Sequence, residues 1–313
     1  MVTIMMLVGV SILVAIHEFG HVLASKAVGF NLIEVSVGIG PKIFQIQWNE
    51  KYKLFFRLIP FAGYCLIKEL NPSYADKNSS IRAINLKRII VYLAGPAANF
   101  LFAFLLLIFS GNTNGLPISS IENSQLVEQG VTNDFVLRHI NGNPVFSYNN
   151  VSLLLLDDNI NTLSFRCYQT NTVVDVPIRI ENNVVSGIVF NDNISTRAES
   201  AFVFMNVLLG FAGEFIRDIF FGDEQLFENA FANPYASFIE HELPLSYRAT
   251  QFFMITSVFS FGMFFLNLMP FIIFDGYKIL NAFVQLIRNK QNSRRISNIM
   301  IVVGIILSVL MVI

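Results

Sequence analysis

The chain predicts an α-helical polytopic membrane protein with about four transmembrane helices and one inserted β-rich domain, and three observations carry that prediction. Of 313 residues, 54% are hydrophobic and only 14% charged, against roughly 25% charged in an average soluble protein. Four apolar runs approach the ~20 residues that cross a hydrocarbon core of about 30 Å. The charged residues divide along the chain by sign, which sets a topology. The formal net charge of -1 excludes a generally basic nucleic-acid binder.

The first run extends from about Val2 into the 22–28 region. It has no basic leading segment and no small-residue cleavage site, so it is expected to stay in place as the first membrane helix. Inside it lies His17-Glu18-Phe19-Gly20-His21. Residues four apart share a helix face, so His17 and His21 can offer two imidazoles to one metal ion with Glu18 beside them. This is the HExxH pattern of a zinc peptidase. Two histidines and an acid are costly at membrane depth unless they are put to use. The pattern therefore predicts an intramembrane zinc metalloprotease, with Zn2+ on His17 and His21 and Glu18 activating a water.

The second run covers Ile89 to Phe109, the third about Thr250 to Phe274, and the last about Ile296 to Ile313. From Lys26 to Arg88 stand Lys26, Lys42, Lys51, Lys53, Arg57, Lys68, Lys77, Arg82, Lys87 and Arg88, against Glu34, Glu50, Glu69 and Asp76. Between the third and fourth runs stand Lys278, Arg288, Lys290, Arg294 and Arg295, with no acid after Asp275. Both stretches are thus expected on the cytoplasmic side. The stretch 112–200 carries Glu122, Glu128, Asp134, Asp157, Asp158, Asp175, Glu181 and Asp192 and is expected outside, as are both termini.

That outer stretch predicts a small β-rich domain. Phe135 to Ile140 is an apolar strand ending in the tight-turn pair Asn141-Gly142. Tyr148 to Leu156 predicts a short helix, and 162–168 and 173–180 alternate as half-buried strands do. From Ala201 to Phe221 the chain is apolar again but broken by Glu214, Arg217 and Asp218, which suits an amphipathic helix on the outer membrane surface. The expected divisions are 1–111, an N-terminal membrane region; 112–200, the outer domain; 201–248, a membrane-surface segment; and 249–313, a C-terminal membrane region.

A catalytic zinc takes three protein ligands and keeps one position open. His139 and His241 fall in or beside the outer region, so the third ligand is expected to be a carboxylate. Asp275 is the only acid after Glu242 and ends a long apolar run. His17 follows about 16 residues, roughly 24 Å of helix, and Asp275 lies at the far end of a span entering from the same side. Both half-sites are then expected toward the cytoplasmic side. A helix cap or an ion pair with Lys278 are the other readings of Asp275. Cys65 and Cys167 fit neither a disulfide framework nor a cysteine metal site.

These motifs, with Gly38-Ile39-Gly40-Pro41, Ile59-Pro60-Phe61-Ala62-Gly63-Tyr64, Ala94-Gly95-Pro96-Ala97-Ala98-Asn99, Asn267-Leu268-Met269-Pro270 and Phe274-Asp275-Gly276, resemble the site-2 protease family. Their order is most similar to the bacterial regulator of sigma-E protease branch. The resemblance implies zinc on His17, His21 and Asp275, with Glu18 as the water-activating group. It also implies substrate contacts at Asn267, Pro270, Gly63 and Asn99, with helix-packing hydrogen bonds as the other reading of Asn267 and Asn99, and a membrane-associated β-hairpin over Gly38 to Lys68 whose edge can pair with an extended substrate. The outer domain resembles a single PDZ domain, with Asn141 to Val145 as its recurrent turn and strand. The chain departs from the family pattern at Ile272, where a second proline is common, and at Ala62, where a Gly-Gly pair is common. The resemblance further implies a multi-pass protein of the bacterial inner membrane that cleaves single-span membrane proteins, anti-sigma factors or signal-peptide remnants, after an upstream extracytoplasmic protease. The alternative is a non-catalytic membrane scaffold that binds extracytoplasmic peptides through the PDZ-like domain. Such a scaffold would have no need of Glu18.

Overall fold

The computed structural model describes residues 2–47, 53–71, 81–112, 115–156, 159–180, 184–221 and 245–287. The chain divides into two compact units, residues 1–103 with 258–313, and residues 104–257.

Unit 1 begins with α1, Val2–Ala27. Two long strands follow, β1, Leu32–Gln47, and β2, Lys53–Ile67. Each is bent, and together they make more than a simple hairpin. Residues 34–37 of β1 pair with residues 53–56 of β2 on one side and 63–66 on the other, while residues 42–47 of β1 pair with 53–57. The spatial order is thus 42–47, 53–57, 34–37, 63–67. Among the described residues, 63–67 has a strand neighbour on one side only. Gly38 and Gly40 take positive φ at the bend of β1, a conformation that glycine adopts without strain. Arg57 staples that bend: Nε donates to Ser36 Oγ at 2.9 Å and Nη1 donates to the Gly40 carbonyl at 2.9 Å. Ile39, Ile43, Phe44, Leu58 and Ile59 are exposed around it.

The second long helix, α2, is Ile81–Ser110 and contains Pro96. It crosses α1 at small residues. A Cβ added to Gly20 would run into the Ala94 carbonyl oxygen and come 2.8 Å from Ala98 Cβ, the close approach that small residues permit between membrane helices. Two described helices are long and apolar enough to span a bilayer, over Val8–Ala27 and Arg82–Ser110.

Unit 2 is built on a six-stranded sheet. Its elements are β3 (Leu116–Ile121), α3 (Ser124–Glu128), β4 (Phe135–Ile140), β5 (Asn143–Pro144), α4 (Tyr148–Leu154), β6 (Asn159–Cys167), β7 (Val173–Ile180), β8 (Ile188–Phe190) and α5 (Ile194–Phe221). The strand order is β7-β6-β4-β3-β8, with β5 paired to β4. Asn141 and Gly142 both have positive φ, 52 and 79°, as a two-residue turn of this kind requires. The core gathers Leu116, Leu126, Leu137, Ile140, Leu163 and Phe165. Beside it Asp192 accepts from Asn112 Nδ2, the Tyr148 amide and Arg197 Nε at 3.0, 2.8 and 2.7 Å.

The third apolar run departs from expectation. α6 covers Leu245–Leu268 and stops, and a separate helix, α7, runs over Asp275–Ile287. Pro270 supplies the reason, because the residue before a proline is pushed out of the helical region. Asp275 therefore opens a helix instead of closing a span. The expected fourth span, 296–313, and His241 lie outside the described residues, as does the amphipathic segment beyond Phe221.

Candidate metal centre

The four-residue spacing on α1 does what helical periodicity demands: His17 and His21 share a buried face with Glu18 beside them, while Phe19 and Leu23 point outward. That face lies against α2 where α2 is thinnest. A Cβ on Gly95 would run into His21 Nε2 and come within 2.9 Å of His17 Cε1. Any residue with a side chain at 95 would displace both imidazoles. Asp275 is delivered by the first turn of α7, and Gly276 lets that turn pass the end of α6, since a Cβ there would run into the Leu268 carbonyl.

The donor atoms converge. Asp275 Oδ2 is 3.0 Å from His17 Nε2 and 3.0 Å from His21 Nε2, and the two Nε2 atoms are 3.2 Å apart. His21 Nδ1 donates to the Val91 carbonyl at 2.7 Å, which leaves its Nε2 as a bare lone pair facing the centre. Lys278 Nζ donates to Asp275 Oδ1 at 2.8 Å, so one carboxylate oxygen is held and the other is presented. Lone pairs packed this closely in a buried site repel unless they share a cation. Ligand atoms of a small tetrahedral ion stand roughly 3.3 Å apart for bonds of about 2.0 Å. The residues present therefore fit a metal ion, with donors from α1 and α7 and an outer contact on each ligand.

A cavity of about 520 Å³ opens on this cluster. His17, Glu18, His21 and Asp275 line it together with apolar side chains that include Val14, Phe259 and Met263. Gly63 belongs to its wall: a Cβ there would come 2.9 Å from both Glu18 Cγ and Val14 Cγ1 and 2.7 Å from the Ser36 carbonyl oxygen. Gly63, in the edge segment 63–67, is thus brought beside Glu18. Asn267 also lines the cavity, with Nδ2 donating to the Met263 carbonyl at 2.9 Å, whereas Pro270 does not line it.

Of the two sequence readings of Asn99, the structure places it as the packing reading would. It is fully buried, lies outside the cavity wall, and sets its amide 3.3 Å from His17 Nδ1, so it stands behind the imidazole and cannot face an incoming chain. His139 is on β4 in unit 2, where burial first and the neighbouring Arg138 second push its imidazole below the usual range. Two contributors were not assigned from sequence. Gly95 is the contact floor for the histidines, and its signal was a glycine inside a long apolar helix, normally a costly choice. Lys278 is a partner of Asp275, and the i,i+3 spacing had allowed that pair without deciding between it and a ligand role. The geometry has room for both, with Lys278 on Oδ1 and Oδ2 left to face the two imidazoles.

An HExxH helix closed by an aspartate from a downstream helix, on a scaffold of long apolar helices, defines a class of membrane-associated metal-site protein. The sequence profile described as Peptidase family M50 matches residues 5–311, and the chain belongs to that family. Among curated proteins it is 31% identical over 154 residues to one of Clostridium perfringens, covering 46% of this chain and 44% of that protein. It is 33% identical over 104 residues to one of Fusobacterium nucleatum, covering 33% and 30%, and 30% identical over 154 residues to one of Campylobacter jejuni, covering 46% and 41%. Each of these bears the name "Putative zinc metalloprotease". The matched part spans less than half the length of each of these relatives.

Proposed function

We propose that this protein is an intramembrane zinc metalloendopeptidase that cleaves the transmembrane segments of single-span membrane proteins. The observation that carries the reading is the joint placement of Glu18 and the His17, His21, Asp275 donor set in one largely apolar cavity. A peptide bond flanked by apolar side chains suits that cavity, and a freely soluble polar substrate does not. Zinc bound to these residues would supply a Lewis acid for the scissile carbonyl and lower the pKa of a water molecule. Glu18 is placed to accept a proton from a water at that site and would return it to the departing nitrogen. A transmembrane helix hides its carbonyls in its own hydrogen bonds, so the substrate must unwind locally before attack. The one-sided edge at 63–67 offers main-chain groups to the unwound stretch, and Asn267, which lines the same cavity, offers its side-chain carbonyl.

The same reading extends to the rest of the chain. About four membrane spans carry the chain, with the loop cations on the cytoplasmic side of a bacterial inner membrane. Unit 2 serves as an extracytoplasmic PDZ-like domain. Its role is to restrict cleavage to substrates with small ectodomains, which an upstream extracytoplasmic protease supplies by trimming. Anti-sigma factors and signal-peptide remnants are substrates of that kind.

The test uses the full chain reconstituted in lipid with a single-span substrate. Wild type is expected to bind one zinc and cleave within the apolar segment, and Glu18→Gln to keep the zinc and lose cleavage. Cleavage that survives Glu18→Gln, or a substrate cut only outside its apolar segment, would overturn the reading. Equal cleavage of full and clipped ectodomains would remove the size filter alone.

A further inference from the structure

We propose that Asn99 is a positioning residue for the metal centre: its side-chain carbonyl accepts the Nδ1–H of His17 and so keeps Nε2 free to bind the ion. The inference rests on the reading of His17 as a metal ligand.

The two imidazoles are backed by the same helix. His21 Nδ1 reaches the Val91 carbonyl at 2.7 Å, and His17 Nδ1 reaches the Asn99 side-chain amide at 3.3 Å. Residues 91 and 99 are eight apart, close to two helical turns, as 17 and 21 are close to one. The contact to His21 can only be an N–H donated to a carbonyl, which in the neutral ring leaves Nε2 bare. The contact to His17 is ambiguous, because an amide offers a donor at one end and an acceptor at the other.

With the nitrogen end toward His17, Nδ1 must accept. Nε2 then carries the proton and cannot be a ligand. That orientation also leaves Asn99 Oδ1 buried with no partner. Turning the amide end for end presents Oδ1 to His17, allows Nδ1–H to donate, and frees Nε2 toward His21 and Asp275. One end of the amide lacks a partner in either orientation, so the hydrogen-bond count does not choose between them. The demand on His17 chooses.

The residue is also held where it is needed. Ser260 Oγ donates to the Asn99 main-chain carbonyl at 2.8 Å, which ties α2 to α6 at this residue. The Gly95 gap one turn earlier keeps the imidazoles against α2. Asn99 has no exposure, so it is not placed to touch substrate. Its effect is transmitted through His17.

The experiment measures zinc affinity of the purified full chain in detergent by competition with a chromophoric chelator, together with the visible spectrum of the Co2+-substituted protein. Asn99→Leu removes the acceptor at similar volume, Asn99→Ala removes it without bulk, and Asn99→Asp keeps acceptor oxygens and discards the amide donor. Asn99→Leu and Asn99→Ala are expected to weaken zinc binding about 10- to 100-fold, the usual cost of losing an outer partner of a ligating histidine, and to alter the Co2+ spectrum. Asn99→Asp is expected to bind within roughly threefold of wild type, or tighter, because a carboxylate is the stronger acceptor. Loss in Asn99→Asp equal to that in Asn99→Leu would show that the amide donates and would overturn the proposal. Wild-type affinity in Asn99→Ala would do the same. Should Asn99→Leu fail to fold, the comparison of Asn99→Ala with Asn99→Asp still decides. Absence of zinc binding by the wild type would defeat the ligand reading itself, an outcome distinct from any ranking among the variants.

Discussion

Unit 1 buries His17, Glu18, His21, Asn99 and Asp275 and turns Phe19, Leu23 and Leu101 outward, whereas unit 2 buries Leu137, Leu163 and Phe165 and turns Asp175 and Arg179 outward. The strand β7 shows the second pattern in one line: Val176, Ile178 and Ile180 are inside and the residues between them are outside. The helix α1 shows the opposite pattern. In water, the apolar residues gain by leaving the solvent, and a sheet sorts them to one face by its period of two. In hydrocarbon the outward apolar side chains cost nothing, and interior polar groups persist only when each has a partner or a task. An exposed phenylalanine on a long apolar helix such as α1 therefore reads differently from one on the unit 2 sheet, and so does a buried acid.

Gly95→Ala should produce the largest effect at the metal centre and break unit 1 alone. The added methyl meets His21 Nε2, so zinc content and cleavage are expected to fall by about 100-fold or more, the scale of misplacing reacting groups by about 1 Å. The fold of unit 2, followed by its own proteolytic or spectroscopic signature, should not change.

Phe165→Ala reverses the target. Phe165 is fully buried in the unit 2 core, and its truncation is expected to destabilise that unit by about 3–5 kcal/mol in denaturant unfolding. Zinc bound by unit 1 should stay at wild-type level. Loss of zinc in this variant would mean that the two units are not separable as described.

Phe19→Asp sharpens the meaning of exposure on α1. Phe19 is about half exposed, so in water a charge there would cost little. In a membrane-inserted helix the change should raise the apparent insertion free energy by about 2.5–3.5 kcal/mol, measurable as loss of membrane integration. Integration equal to wild type would place that face away from lipid. Lys278→Met is a milder change. It frees Asp275 Oδ1, and zinc affinity is expected to fall by about tenfold.

Asn123→Ala should have the smallest effect. Asn123 caps α3, with Oδ1 accepting from the Leu126 amide at 3.1 Å, and loss of such a cap costs about 1 kcal/mol. Unit 2 should lose that stability without any change at the metal centre.

Local rules made much of this molecule legible. The spacing of His17 and His21 put both rings on one face, the Asn141-Gly142 pair marked a turn, and alternation marked β7. Where a local signal was absent or outweighed, expectation and structure part. Residues 250–274 read as one apolar run, yet the helix stops at Leu268 before Pro270, and Asp275 starts another. The two bent strands gave no local sign that 34–37 would be flanked on both sides by parts of β2.

By itself the chain sequence determined the type of centre and one half of it, because two imidazoles and a carboxylate within a single turn of helix are arranged by a 3.6-residue period that needs no other contact. Only the tertiary structure decided that Asp275, 254 residues beyond His21, brings Oδ2 to 3.0 Å from that ring. The same packing set Lys278 on the other carboxylate oxygen and placed Asn99 behind His17 instead of before a substrate. The physical reason is range: periodicity acts over a few residues, whereas the meeting of α1, α2 and α7 depends on where glycines let backbones close and where a proline ends a helix.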